Sequence, residues 1–365
     1  MKLRPLVFWA HLSLGLTIGT VVFIMAVTGM LMAYEPQLID FAERKINHVS
    51  VPKGSARQNP SALMQAAQKS AGSAPSGITL KSEPEAAAIV ILDRDKPEIF
   101  VNPYTAEVLG PVSTTRVFLK QVEGIHRWLG VKDKGKNVTH AVCFLFFGMI
   151  LGGLFLWWPH RASPEAWQNA TRFNSRLTGK AKDWNIHNVT GFWCSLLLLI
   201  TVLTGLIMSY GWANVLFFRA LGSAPPAPQA MRGAKPAAAP APVLDFDTLM
   251  AQAQKTAPQW SLITVRAPRE PGGPASAFIQ EKGNPEFAWS LLSLDPVTSQ
   301  VKKWEPWQSL PAARKARSGV KALHTGEIGG LAGQTAAFIS ALAALTLVWT
   351  GFAMSWRRFF SRTKK

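Results

Sequence analysis

Four long apolar runs, at about 6–34, 138–158, 186–218 and 331–356, constrain this chain more than any other feature. Each is long enough to cross a bilayer, which takes about 20 apolar residues in a helix. The composition points the same way: 48% of the 365 residues are hydrophobic, 14 are Trp and only 16% are charged, which suits membrane segments rather than a soluble globule. The first run is too long for the h-region of a signal peptide, and no small-x-small cleavage site follows it. It reads as a retained anchor.

Lys and Arg near span ends set the expected orientation. Lys2 and Arg4 precede the first run. Arg161, Arg172, Arg176, Lys180 and Lys182 lie between the second and third, and Arg357, Arg358, Arg362, Lys364 and Lys365 follow the fourth. Four spans put all three groups on one face, expected to be the cytoplasm of a bacterial inner membrane, with both termini there. The chain then divides into a first span (1–34), a first outer segment (35–137), a second span (138–159), a cytoplasmic loop (160–183), a third span (184–218), a second outer segment (219–327) with a Pro/Ala-rich linker at 223–243, a fourth span (328–357) and a basic tail (358–365). The formal charge of +18 is only partly topological, because the outer segments are also net basic. That excess fits a solvated surface or an anionic partner outside. Membrane lipids are expected partners and nucleic acid is not.

The two cysteines, Cys143 and Cys194, both lie in apolar runs. They supply no disulfide framework. No CxxCH or CxxC occurs, which excludes covalent c-type haem attachment, zinc ribbons and dithiol redox chemistry.

The chain repeats itself. From His11 and from His187, Gly follows at +4 (Gly15, Gly191), Thr-Gly at +17/+18 (Thr28-Gly29, Thr204-Gly205), Met at +21 (Met32, Met208) and Tyr at +23 (Tyr34, Tyr210). LMQAAQKSA at 63–71 returns as LMAQAQKTA at 249–257, and ITLK at 78–81 as ITVR at 263–266. The turn Asn102-Pro103-Tyr104-Thr105 returns as Asp295-Pro296-Val297-Thr298. His126 and His324 are each followed by Gly at +27 (Gly153, Gly351) and Trp at +32 (Trp158, Trp356). In the first outer segment, Asn59 and Pro60 open a helix. Strands are predicted at 77–81, 86–92, 98–101 and 107–109. The expected fold is a mainly α membrane protein: four transmembrane helices in two parallel-related repeats, each carrying a small α+β outer domain.

Four of the seven histidines sit at matching places. A pseudo-two-fold axis along the membrane normal would bring His11 to His187 and His126 to His324. Ionisable side chains in or near a bilayer are costly and tend to mark function. Two facing imidazoles suit haem iron between helices, and six-coordinate iron favours electron transfer. Mononuclear metal sites, proton relays and interfacial polar residues are the alternatives, although two histidines make a thin zinc site. Gly15, Gly191 and the Thr-Gly pairs leave room for a flat macrocycle or a close helix. His140 is the second choice for the outer site. His160 reads as part of the basic loop and His48 as a surface residue, and the Trp residues at span ends as an aromatic belt. Arg127 outside, and Arg161, Arg357 and Arg358 inside, are candidates to pair with haem propionates. Glu327 is a candidate to orient His324.

HLxxGL ending in TG, HRWLG, WWPxR, HNxxGFW and LHTGEIGG…TG…WRR together resemble the PepSY-associated transmembrane family across essentially the whole chain. VNPYTAEVLG and LSLDPVTSQV are similar to the strand-turn-strand of PepSY domains. The resemblance implies kinship with bacterial inner-membrane ferric-siderophore reductases, which carry b-type haems between their helices and release iron as Fe(II) in the periplasm. It implies two haem b per chain, with His11, His187, His126 and His324 as axial ligands. No GxGxxG fingerprint or flavin-reductase domain is present, so the expected donor is a cytoplasmic protein or a membrane quinol. The rival readings are a non-enzymatic PepSY membrane protein that binds a peptide or protease, and a transporter of the iron complex. Against transport, no run combines a mid-membrane Gly/Pro break with charged residues.

Overall fold

A computed structural model describes residues 3–92, 96–159, 163–225, 244–268, 270 and 272–360. His160, Arg161, the linker from 226 onward and the tail from 361 lie outside the described residues. In chain order the first part holds helices α1 (Leu3–Met32), α2 (Glu35–Asn47) and α3 (Pro60–Ala71), then strands β1 (Pro75–Lys81), β2 (Ala88–Leu92), β3 (Ile99–Val101) and β4 (Val108–Pro111). Helices α4 (Thr114–Trp128), α5 (Lys132–Trp157), α6 (Pro164–Thr171), α7 (Gly179–Trp193), α8 (Ser195–Ser209) and α9 (Gly211–Ala220) follow. The last part holds α10 (Phe246–Thr256), β5 (Trp260–Arg266), β6 (Ala275–Glu281), β7 (Ser290–Leu294), β8 (Val301–Glu305), α11 (Ala312–Ser318), α12 (Val320–Thr325) and α13 (Gly330–Phe359).

These elements form two compact units. The membrane unit comprises 1–35, 118–225 and 320–365. Three of its helices, α1, α5 and the one ending at Phe359, are long and apolar enough to cross a bilayer, and α7 with α8 makes a fourth span if the bent pair counts as one. Leu196, Leu331 and Trp349 stay exposed on these helices, as apolar side chains facing lipid should. Ile18, Val22, Val142, Leu198, Val202 and Ala344 fill the space between them.

The third span departs from expectation. Its apolar run is continuous in sequence, yet the helix turns by 63° at a break after Trp193. Ser195 Oγ donates to the Phe192 carbonyl (2.8 Å) while the Phe192 ring stacks on Trp157 at 4.0 Å. A side-chain donor competing for a helix carbonyl, next to an aromatic clamp, is a sufficient cause for a kink. No charged residue adjoins the break.

His126 and His324, outside the long spans, each enter the bundle next to a tight turn. A Cβ on Gly135 would stand 1.6 Å from the Trp128 carbonyl, and one on Gly333 2.1 Å from that of Gly326. Only glycine allows these backbones to touch. They fix α4 against α5 and α12 against α13, and so fix His126 and His324.

The second unit comprises 36–117 and 226–319. The sequence reading separates its two segments, but they share a single eight-stranded antiparallel sheet in the order β4-β3-β2-β1-β5-β6-β7-β8. The seam is β1 against β5, where Thr79 lies opposite Thr264, Ile78 opposite Val265 and Leu80 opposite Ile263. Thr79 thus meets its own counterpart, while Ile78 meets the counterpart of Leu80 and Leu80 that of Ile78, the register a local two-fold axis through the Thr79–Thr264 pair requires. One core runs beneath both halves: Leu63, Met64 and Ala67 of α3 and Leu249, Met250 and Ala253 of α10 cover Ile78, Val90, Ile263 and Ile279. Burying such side chains contributes roughly 1.5–3 kcal/mol each. The Thr79–Thr264 hydroxyl bond (2.9 Å) contributes about 1 kcal/mol, so the shared core holds the seam.

Pro60 occupies the first turn of α3 as predicted, but Asn59 makes no side-chain cap. Asn102 and Asp295 each accept two backbone N–H bonds in matching turns, from Tyr104 and Thr105 and from Val297 and Thr298. On the other face of the first half, Glu43 is buried. It takes hydrogen bonds from the Ser113 N–H and Oγ (3.0 Å each) and a two-pronged ion pair from Arg116.

Candidate functional site

The structure brings the four matching histidines together in two pairs. The rings of His11 and His187 lie 6.4 Å apart between centroids, and those of His126 and His324 also 6.4 Å. The planes of each pair are steeply inclined, at 84° and 69°.

The surroundings fix which nitrogen points inward. His126 Nδ1 lies 3.0 Å from the Met25 carbonyl and 3.0 Å from Thr28 Oγ1. A carbonyl only accepts, so Nδ1 carries the proton and Nε2 is left with its lone pair. The Thr28 hydroxyl proton is already directed at the Ile24 carbonyl (2.7 Å), which leaves its oxygen as a second acceptor. His324 is held the same way by Thr201 O (3.0 Å) and Thr204 Oγ1 (2.9 Å), with the Thr204 proton on Ile200 O (2.7 Å). His187 Nδ1 meets Thr350 Oγ1 (2.9 Å), whose proton goes to Thr346 O (2.7 Å). His11 Nδ1 is buried without a hydrogen-bond partner.

A glycine backs each ring. A Cβ would come 3.2 Å from His11 at Gly153, 3.7 Å from His187 at Gly351, 3.6 Å from His126 at Gly29 and 3.7 Å from His324 at Gly205. Gly29 and Gly205 thus follow the threonines that hold the rings they back. Sequence reasoning noted the Thr-Gly pairs as close-packing residues; the threonines serve instead as acceptors for imidazole N–H groups. The hydroxyl of Thr350 has the same role and carried no separate assignment.

A cavity of about 1250 Å³ opens around the first pair. Gly15, Gly191 and the two histidines line it, and Arg4, Lys180 and Arg358 contribute cations. Arg4 also donates to the Trp158 carbonyl (3.1 Å), and the Arg358 guanidinium sits over the Phe8 and Trp9 rings. The chemistry of the donor sets fits haem iron. Imidazole–metal bonds of about 2.0–2.1 Å, with about 1.2 Å from nitrogen to ring centre, separate two axial ring centres by roughly 6.4 Å. An apolar cavity with cations at its wall also suits a macrocycle bearing carboxylates. No group of three or more His, Cys, Asp or Glu able to hold a metal ion occurs among the described residues.

Other sequence candidates go elsewhere. His140 packs against Tyr210, with centroids 5.5 Å apart, rather than joining the second pair. Arg127 makes a surface ion pair with Glu123 (2.9 Å) and lies over Trp128. Arg357 pairs with Asp183 (2.9 Å). Thr204, not Glu327, takes the Nδ1 of His324. His48 joins an isolated bridge to Ala86.

The class of protein is therefore a multi-pass membrane protein with two half-buried histidine pairs and a mixed α/β unit. The chain belongs to the family described as the PepSY-associated TM region, whose model matches residues 8–358. Among curated proteins, none matches the chain.

Proposed function

We propose that the chain is a di-haem electron-transfer protein that reduces ferric chelates, of the ferric-siderophore kind, on the periplasmic face of a bacterial inner membrane. One observation carries the reading: two imidazole pairs share a centroid separation of 6.4 Å, and in three of the four rings a side-chain hydroxyl engages Nδ1 and leaves Nε2 for a metal.

Held by two imidazoles, a haem would supply one-electron chemistry. His11 and His187 would hold one group, with Arg4, Lys180 and Arg358 neutralising its carboxylates. His126 and His324 would hold the other. From His11 to Thr28, which touches His126, α1 runs 17 residues, about 25 Å of helix. The pairs thus stand near opposite ends of the spans, as a path across the bilayer requires. The substrate is the ferric chelate, and one-electron reduction weakens its hard oxygen coordination. A quinol or a reduced cytoplasmic protein is the proposed donor.

A second reading is favoured by the family description and by the lack of a three-ligand cluster among the described residues: a non-catalytic membrane protein whose sheet unit binds a peptide or protease. The visible spectrum of the purified protein separates the two. A Soret band with sharpened α/β bands on dithionite, two haems per chain and reduction of a ferric hydroxamate support electron transfer. Protein that is folded and colourless after expression with ample haem sinks it.

A further inference from the structure

The two histidine pairs match in spacing but not in support. Thr350-Gly351, on α13, holds and backs His187. Gly153 stands 27 residues after His126, as Gly351 stands after His324, so the residue matching Thr350 is Gly152. There the chain has no hydroxyl. His11 Nδ1 accordingly lacks a hydroxyl partner, and the Met149 backbone carbonyl, which acts on the ring, makes no hydrogen bond of full geometry with that nitrogen. The gap is local: a Cβ at Gly152 would meet Val7 Cγ1 at 3.5 Å and His11 Nδ1 at 3.9 Å, ordinary contacts that leave room for a side chain aimed at that nitrogen.

We infer that Thr28, Thr204 and Thr350 are positioning residues that set the tautomer and aim of His126, His324 and His187, and that Gly152 withholds the fourth such contact, making His11 the exchangeable ligand of the first pair. The inference rests on the haem reading above. An Nδ1–H donated to an acceptor raises imidazole basicity and fixes ring orientation, and losing such a partner typically costs 10- to 100-fold in metal affinity. Three rings carry that restraint from a threonine hydroxyl and His11 does not. The ligand that leaves first should therefore be His11, opening the first site to small ligands while the second stays closed.

The test uses the full-length, haem-loaded, dithionite-reduced protein with carbon monoxide as probe. Wild type is expected to bind it rapidly at one haem per chain. Gly152→Ser, which supplies the hydroxyl, should slow that phase about tenfold. Thr350→Ala should speed it about tenfold, and Thr350→Ser should restore it. Thr28→Ala or Thr204→Ala should create a second reactive haem. In a redox titration Thr350→Ala should raise the potential of one haem only, a tenfold change corresponding to about 59 mV for one electron. Equal carbon monoxide binding at both haems, or no response to both Gly152→Ser and Thr350→Ala, overturns the inference and leaves the haem reading standing. Absence of haem from folded wild type overturns both.

Discussion

The first and second halves of the chain put matching residues in matching places and part at a few positions. In the first half, α1 crosses as an unbroken helix of 30 residues; in the second, its counterpart breaks by 63° into α7 and α8. The first half ties its sheet to a buried carboxylate, Glu43, whereas the second uses the surface cluster of Glu305, Lys303 and Arg314. At the histidines, three rings have a threonine and one has Gly152. Features that two facing sites need in common, imidazoles and backing glycines, occur in both halves. Those that orient, bend or anchor differ, and there the halves have separate work to do.

The largest effect comes from breaking one pair at a time. On the proposed di-haem reading, His187→Ala and His126→Ala should each remove one haem, about half of the Soret absorbance, because each change takes away one of the two imidazoles that would hold it. His140→Ala and His48→Ala should remove none. Pigment analysis per polypeptide checks this. Loss of haem from His140→Ala with none from His126→Ala would refute the assignment of the second pair.

Next come the turns that fix the second pair. Gly135→Ala and Gly333→Ala should each cost more than about 3 kcal/mol, since backbone lies where the methyl must go and neither neighbour can yield without moving a helix. Thermal unfolding in detergent should rank both far below Gly148→Ala, where a Cβ meets nothing within 4 Å.

Much of this was readable in the chain. The histidine pairs emerge from fixed offsets, and the strands of the first outer segment fall within a few residues of their predicted ends, whereas in the second segment only the 263–266 stretch and the turn at 295–298 were marked. Three things left no local trace. The kink after Trp193, in an otherwise smooth apolar run, involves the stacking of Phe192 on Trp157, 35 residues upstream of Phe192 on another span. The seam joins β1 to β5, nearly 200 residues apart, and neither strand's pattern distinguishes a shared sheet from two edges. The role of the threonines was hidden because a Thr-Gly pair in a span reads equally as packing; only the approach of a ring from another helix makes it an acceptor.

The sheet halves give a third comparison. Burial would push the Glu43 carboxyl up, but the Arg116 guanidinium and the Ser113 N–H and hydroxyl outweigh it and hold it below its ordinary value. Glu305 is likewise lowered, burial being overcome by Lys303 and Arg314, yet its own side chain is 19% exposed where that of Glu43 is 2%. Glu43→Ala should cost about 3 kcal/mol, the low end for a broken buried pair because Arg116 retains some water. Glu305→Ala should cost about 0–1 kcal/mol. A carboxyl with a lowered folded value stabilises above its unfolded value near 4.5 and loses that contribution as pH falls through the folded one. Acid unfolding should therefore shift more in Glu43→Ala than in Glu305→Ala, with wild type and Glu43→Ala converging at low pH. Equal shifts would remove the distinction between the halves.

The smallest effect tests the seam itself. Thr79 and Thr264 share one hydroxyl–hydroxyl bond (2.9 Å) across the local two-fold axis. Either Thr79→Val or Thr264→Val removes it, at about 0.5–1 kcal/mol. The double variant has no further bond to lose, and two facing valines regain apolar contact, so it should cost no more than either single change. Such non-additivity is the signature of direct contact. Urea titration of all four proteins closes the cycle. If the two single costs add, the threonines act independently and the seam is not formed in solution as drawn. If they do not, the two halves are coupled at the one place where each strand meets its own counterpart.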